Sequence, residues 1–189
     1  MIGNVKKILF PTSLEEGSDD GLRYTLHAAK SHQAKVIVLY ILKRDRPAVH
    51  TLMNLYLTQE QQNRIRNGRI DHALKRIQLD VNRVCLQEFG IDGEIEDILE
   101  AIEVAEGWPG EIIVAKSREL DCDAVYMVGC GRSLGTHFAL EKTVKHVLRH
   151  AVKPVLILPS NGKPKEKKKL PKPHKIKEFQ IVMIKKGDQ

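Results

Sequence analysis

Gly129-Cys130-Gly131-Arg132 stands between an apolar run, Ala124–Val128, and an amphipathic run, Lys142–Ala151. A strand, then glycines, then a helix start is how an α/β protein aims backbone N–H groups and a helix dipole at a phosphate. Here the cradle is altered. A phosphate loop would want its next glycine where Arg132 stands, and Lys142 precedes the hydroxyl of Thr143. Glycine permits positive φ and close approach of an anion to the backbone, whereas Arg and Lys each add a Cβ and a long chain. The same two cations could hold an anion in another manner. The plainer reading is a tight strand-to-helix turn, and an isolated glycine pattern does not outweigh it.

Other chemistry-bearing residues are weaker still. Cys130 lies near Arg132 and a helix start, which would lower a thiol pKa, but small buried cysteines are far commoner than sensors. Cys85 falls on the apolar face of a long helical pattern. Three cysteines in all, none in metal spacing, fit reduced thiols. His146 and His150 are four apart on the last helix, a chelating interval, yet no third ligand suggests itself, and packing or solvated histidines are the better reading. No Ser/His/Asp order, paired-carboxylate motif or Walker-type Gly-Lys-Ser occurs, and Ser13 lacks the glycines of a nucleophile elbow. Nothing argues for an enzyme.

These residues need a scaffold. Lys7–Pro11 reads as a short strand ended by Pro11. Glu15–Asp19 offers acids and a capping hydroxyl for a helix carrying Leu22, Thr25, Leu26 and Ala29. Val36–Ile41 is a continuous run, the mark of a strand buried on both faces. Lys43–Thr58 reads as irregular, with an apolar cluster at Leu52–Leu57. A long helix follows on Ile70, Ala73, Leu74, Ile77, Val81, Val84 and Cys85, closed by Gly90. Ile91–Ala105 has helical spacing, but a parallel sheet needs a strand there, and Ile98–Val104 is assigned to it. Gly107-Trp108-Pro109 turns into a short helix, Ala124–Gly129 is a strand, and Pro154–Leu158 is the last core strand.

Such alternation means parallel βαβ units with right-handed crossovers. The expected fold is an α/β, Rossmann-like, open five-stranded sheet of order 3-2-1-4-5 with helices on both faces. Strands one and four are then neighbours at the point of reversal, so the loops Thr12–Gly17 and Gly129–Thr136 share the ligand crevice.

Charge divides the chain differently. The 30 residues from Ser160 hold ten lysines and three acids, a balance of +7, which equals the net charge of all 189 residues. The first 159 residues are therefore neutral, and the pI near 9.3 describes a tail. Residues 160–175 read as a Lys/Pro-rich linker and 176–189 as an arm carrying a strand pattern, Phe179–Ile184. The run lacks Arg and interleaved aromatics, so it is read as a solvated linker and not as a nucleic-acid or lipid anchor. No segment is apolar enough for a membrane span, and Lys7–Phe10 lies too near Met1 for a secretory leader; a cytoplasmic protein is expected.

Strand and motif order resemble the universal stress protein family from Asn4 to Pro159. The residues that carry the likeness are Lys7–Thr12, Gly107-Trp108-Pro109, Val128-Gly129, and above all Thr143–Ala151 running into Pro154–Ile157. The resemblance implies a site. Nucleotide-binding members carry a G-x-x-G, a spacer, then G-[S/T]. On this sequence Gly129 keeps the first glycine, Arg132 takes the second position beside Gly131, Lys142 takes the third, and Thr143 keeps the hydroxyl. An acid that those members carry after the first strand is replaced by Ser13, next to Thr12, and the adenine-facing backbone maps to Ile41. The family divides into nucleotide-binding and non-binding branches, and this chain looks closer to the second. The implied function is a non-catalytic stress-response protein, without cofactor, acting through dimerisation and partner binding. Its homodimer would form through the Pro154–Leu158 edge, with the Phe179–Ile184 arm extending it. The alternative is an ATP-binding regulator with a degenerate phosphate loop, slow turnover not excluded.

Overall fold

The structure, a computed structural model, describes residues 5–12, 18–42, 47–90, 95–129 and 137–158. Its elements in order are β1 (Lys7–Thr12), α1 (Ser18–His32), β2 (Lys35–Leu42), α2 (Pro47–Tyr56), α3 (Gln59–Phe89), α4 (Ile95–Ile98), β3 (Leu99–Glu106), α5 (Pro109–Glu119), β4 (Ala124–Val128), α6 (His137–His150) and β5 (Val155–Leu158). The five strands form one parallel sheet in the order β3-β2-β1-β4-β5, as the sequence predicts.

The central strands are apolar on both sides because both sides are covered. Ile8, Phe10, Val36 and Val38 pack with Leu22, Leu26, Leu74, Ile77, Val81 and Val84 of α1 and α3. Leu9, Ile37, Leu39, Val125 and Met127 face Ile113, Val114 and Val147 of α5 and α6. Polar stitches tie α1 to α3 along their outer seam: Arg23 and His27 both reach Glu88, and Arg83 reaches Asp19.

Several boundaries differ from the sequence reading. Pro11 does not end β1; it pairs with Leu39, while β1 has already left β4 after Leu9, so no ladder on that side needs its missing N–H. The segment read as irregular contains α2. The long helix starts at Gln59, where Thr58 and Gln61 form a reciprocal capping box, and Gly90 closes it at φ 74°. The third strand begins at Leu99 and runs to Glu106, with Ile98 ending α4. The last helix starts five residues before Lys142, at His137. Among the described residues, no helix is long and apolar enough to cross a membrane.

At the amino ends of the strands, Asp123 locks β1 to β4. Its carboxylate accepts from the N–H groups of Lys6 at 2.8 Å and Lys7 at 3.0 Å, and its own N–H donates to the Lys7 carbonyl. The Lys6 hydrogen bond leads the causes that hold this carboxyl below the usual carboxylate range.

Candidate functional site

The carboxyl ends of the same two strands behave in the opposite way. β1 pairs with β2 over six residue pairs but with β4 only through Ile8↔Ala124 and Leu9↔Val125. Beyond these pairs, Phe10–Thr12 and Tyr126–Gly129 no longer share a ladder. A wedge opens between them where the strand order reverses, the position at which open α/β sheets take ligands.

Thr12 ends β1 on this wedge, half-buried. Gly129 follows β4 directly. Its N–H donates to the Leu158 carbonyl at 2.7 Å, and a Cβ there would lie 2.9 Å from Ile157 Cγ2. Packing against β5 thus already accounts for this glycine. Gly21 does a similar service behind the wedge: a Cβ would meet Val128 Cγ2 at 2.3 Å, so its absence lets α1 lie across the tips of β1 and β4.

The remaining candidates separate. Ile41 sits near the end of β2, paired with Ala105 and packed on the α5–α6 side. Lys142, exposed, and Thr143, half-buried, are the sixth and seventh residues of α6. Only the first four amides of a helix are free to face an anion, so their N–H groups belong to the helix's own ladder. Ser13, Cys130, Gly131 and Arg132 lie outside the described residues, as do the loop residues beside them, the 160–175 linker and the 176–189 arm.

The described thiols are buried, and desolvation pushes both Cys85 and Cys122 up to about 11. The His146 ring packs on Gly110, whose Cβ would come within 2.9 Å of it. His150 stacks on His146 at 4.2 Å and turns Nδ1 to the His146 carbonyl at 2.8 Å. The pair is built into the α5–α6 contact.

Sequence reasoning missed one charged pair. Lys116 of α5 and Glu103 of β3 are both under 10% exposed and lie 3.2 Å apart, with Glu119 on the outer side of the ammonium at 3.0 Å. The signal was the position of Glu103, between Ala101 and Ala105 on the strand face that packs in the same layer as α5.

The universal stress protein family model matches residues 4–159. No curated protein matches the chain. Among solved structures, hypothetical protein MJ0577 aligns with a TM-score of 0.61 and 18% identity, covering 85% of this chain and 100% of that one. The universal stress protein UspA from Lactobacillus plantarum aligns at 0.53 and 18%, covering 82% and 99%. A universal stress protein solved in complex with cAMP aligns at 0.54 and 15%, covering 84% and 100%. At these identities the likeness is one of fold.

Proposed function

Because the chain belongs to the universal stress protein family, we propose that it acts as a non-catalytic stress-response protein, by self-association and partner binding. The observation that carries this reading is the β5 edge. Among the described residues β5 is paired only with β4, and beside it Leu148, Val152, Leu156 and Ile157 are exposed, Val152 to 71%. An apolar, unpaired strand edge is a template for another copy of itself. Residues 1–159 are taken as the folded unit, 160–175 as a linker, and Phe179–Ile184 as a strand that extends the same edge. The exposed Val49, Leu52, Leu55 and Tyr56 of α2 offer a second face to a protein partner.

Leu156→Lys tests this reading. A charge on the edge strand is expected to give a folded monomer by sedimentation where the parent is a dimer, and a monomeric parent or a dimeric variant would overturn it.

The wedge supports a second reading, an adenine-nucleotide-binding regulator, and a protein of similar fold is solved with cAMP. Against it stand the cations at Arg132 and Lys142 and the interior position of Thr143 in α6. Nucleotide at about a hundred times its dissociation constant stabilises by roughly 2.7 kcal/mol, several degrees in Tm for a chain of this size. Unchanged Tm with millimolar ATP, ADP or AMP is expected; a shift of that size, lost in Thr143→Val, would favour the second reading.

A further inference from the structure

α2 has the composition of an interior helix in an exterior place. Its residues, PAVHTLMNLY, include no Asp, Glu, Lys or Arg. A helix without a charged face is normally covered. Yet of the side chains from Ala48 to Tyr56 none is buried, and only Met53 is half-buried. Leu52 is 55% exposed, Leu55 70% and Tyr56 79%. Val49, Leu52 and Tyr56 recur at i, i+3 and i+7, so they share one stripe, with Leu55 beside it. The start of α3 that carries this helix stands out as well: residues 59–72 include none that are buried, and α3 joins the core only from Ala73.

The sheet brings two further features to the same end of the molecule. Its strands are all parallel, so the segment after each strand departs from one end. α2 follows β2. Trp108 follows β3 and is 69% exposed, and the N–H of Gly107 before it donates to the carbonyl of Leu42, the last residue of β2. The chain beyond Leu158 departs from β5 at that end too, and its residues from Ser160 carry the balance of +7. Two acids of this region are already matched: Glu106 at the end of β3 by Arg66 at 2.7 Å, and Glu60 at the start of α3 by Arg64 at 2.6 Å.

We propose that this end of the molecule docks peripherally on an anionic lipid surface. α2 lies in the headgroup layer on Leu52, Leu55 and Tyr56, and the lysines after Ser160 meet the lipid charge. An apolar helix and a polybasic segment are each weak signals, and together they hold a protein to a bilayer. The lysine run is therefore no anchor by itself and becomes one beside α2. Tyrosine and tryptophan suit the same depth, with an apolar body and a polar edge. A protein groove could also cover these side chains, but α2 carries no charge to fix a register in one, whereas a bilayer needs none. The surface does not depend on the β5 edge or on the wedge.

The test uses the full chain with vesicles of phosphatidylcholine containing phosphatidylserine, and with vesicles of phosphatidylcholine alone. The protein is expected to sediment with the first and far less with the second. Trp108, the chain's single tryptophan, reports the orientation: its emission should shift to the blue on binding and be quenched by lipids brominated in the acyl chain. Leu55→Glu, at an exposed position, should leave Tm unchanged and weaken binding about tenfold or more, the loss of one buried leucine. Lys167, Lys168 and Lys169→Gln together should also weaken it about tenfold or more. The proposal is overturned by absence of binding at millimolar lipid, by equal binding to phosphatidylcholine alone, or by undiminished binding of Leu55→Glu, which would leave only adsorption of the lysines. Unshifted Trp108 emission in the bound protein would overturn it by placing another surface on the bilayer. Self-association lost in Leu55→Glu, without lipid binding, would overturn it by giving α2 to a second copy of the chain.

Discussion

Replacing Lys116 by methionine should be among the most damaging single changes in this protein, and replacing Glu103 as well should undo the damage. The ammonium and carboxylate are 3.2 Å apart, with side chains 10% and 5% exposed. At an effective dielectric constant near 20, two charges at that distance attract by about 5 kcal/mol. Desolvation of both groups offsets most of this, so the net value of the pair is small. Removing one member leaves the other buried and uncompensated, at a cost of about 3–5 kcal/mol. The two single variants are not equivalent. In Glu103→Leu, Lys116 keeps Glu119, which is 49% exposed, and its long stem can carry the charge outward. That variant should lose about 1–3 kcal/mol. Lys116→Met strands Glu103 beneath α5 and should lose the full amount. The double variant, with two apolar side chains, should fall within about 1 kcal/mol of the parent or exceed it. Urea unfolding at fixed protein concentration measures all four proteins, read by far-UV circular dichroism because Trp108, 69% exposed, is a poor reporter of the core. A Lys116→Met loss below about 1 kcal/mol, or additive single losses in the double variant, would refute the reasoning.

Two glycines of the helical layer should respond in opposite directions to the same substitution. Gly68→Ala should gain about 1 kcal/mol from helix propensity, whereas Gly21→Ala should be destabilised by about 1–2 kcal/mol net, since overpacking against Val128 exceeds that gain; thermal denaturation of the pair decides it. Asp123 should contribute to acid resistance. Because its folded pKa is depressed, its contribution is fully present above the unfolded value of 3.8 and is lost as pH falls through the lower folded value. Asp123→Asn should therefore flatten the acid limb of the stability profile below about pH 4 while lowering stability at pH 7; a parallel, undisplaced limb would contradict the lock. In a Cys130→Ser background, Cys85 and Cys122 should react with a thiol reagent no faster than the protein opens, and immediate labelling of either would show that its burial is wrong.

The sheet was legible because its inner strands are fully covered: Val36–Ile41 has no polar interruption, and Leu9 and Val38 are apolar for opposite faces. β3 was harder because it lies at an edge. Its spacing of Ile98, Leu99 and Ile102 suits a helix, and Glu103 points inward only because Lys116 receives it, a partner thirteen residues later that no local pattern reveals. α2 was missed for a related reason: its apolar residues face outward, so they do not repeat as a core-facing stripe. The start of α6 was misplaced because the resemblance fixes the sequence from Thr143 onward and says little about Phe138–Glu141. Of the candidate site, sequence alone located the reversal between the first and fourth strands. It could not tell that Gly129 is needed for Ile157, since that contact crosses to another strand.

The short join between β1 and β4 also divides the molecule for engineering. Everything up to Glu119 supplies β3-β2-β1 with their covering helices, and everything after it supplies β4, α6 and β5. Across that line run two residue pairs of the ladder, the Asp123 clasp, the flank of α1 at Gly21, and the apolar layer in which Ile113 and Val114 of α5 meet Val147 of α6. A chain cut between Leu120 and Asp121 would break the sheet where its ladder is shortest, and each piece would carry half of an apolar layer addressed to the other, the arrangement wanted in fragments that complement one another.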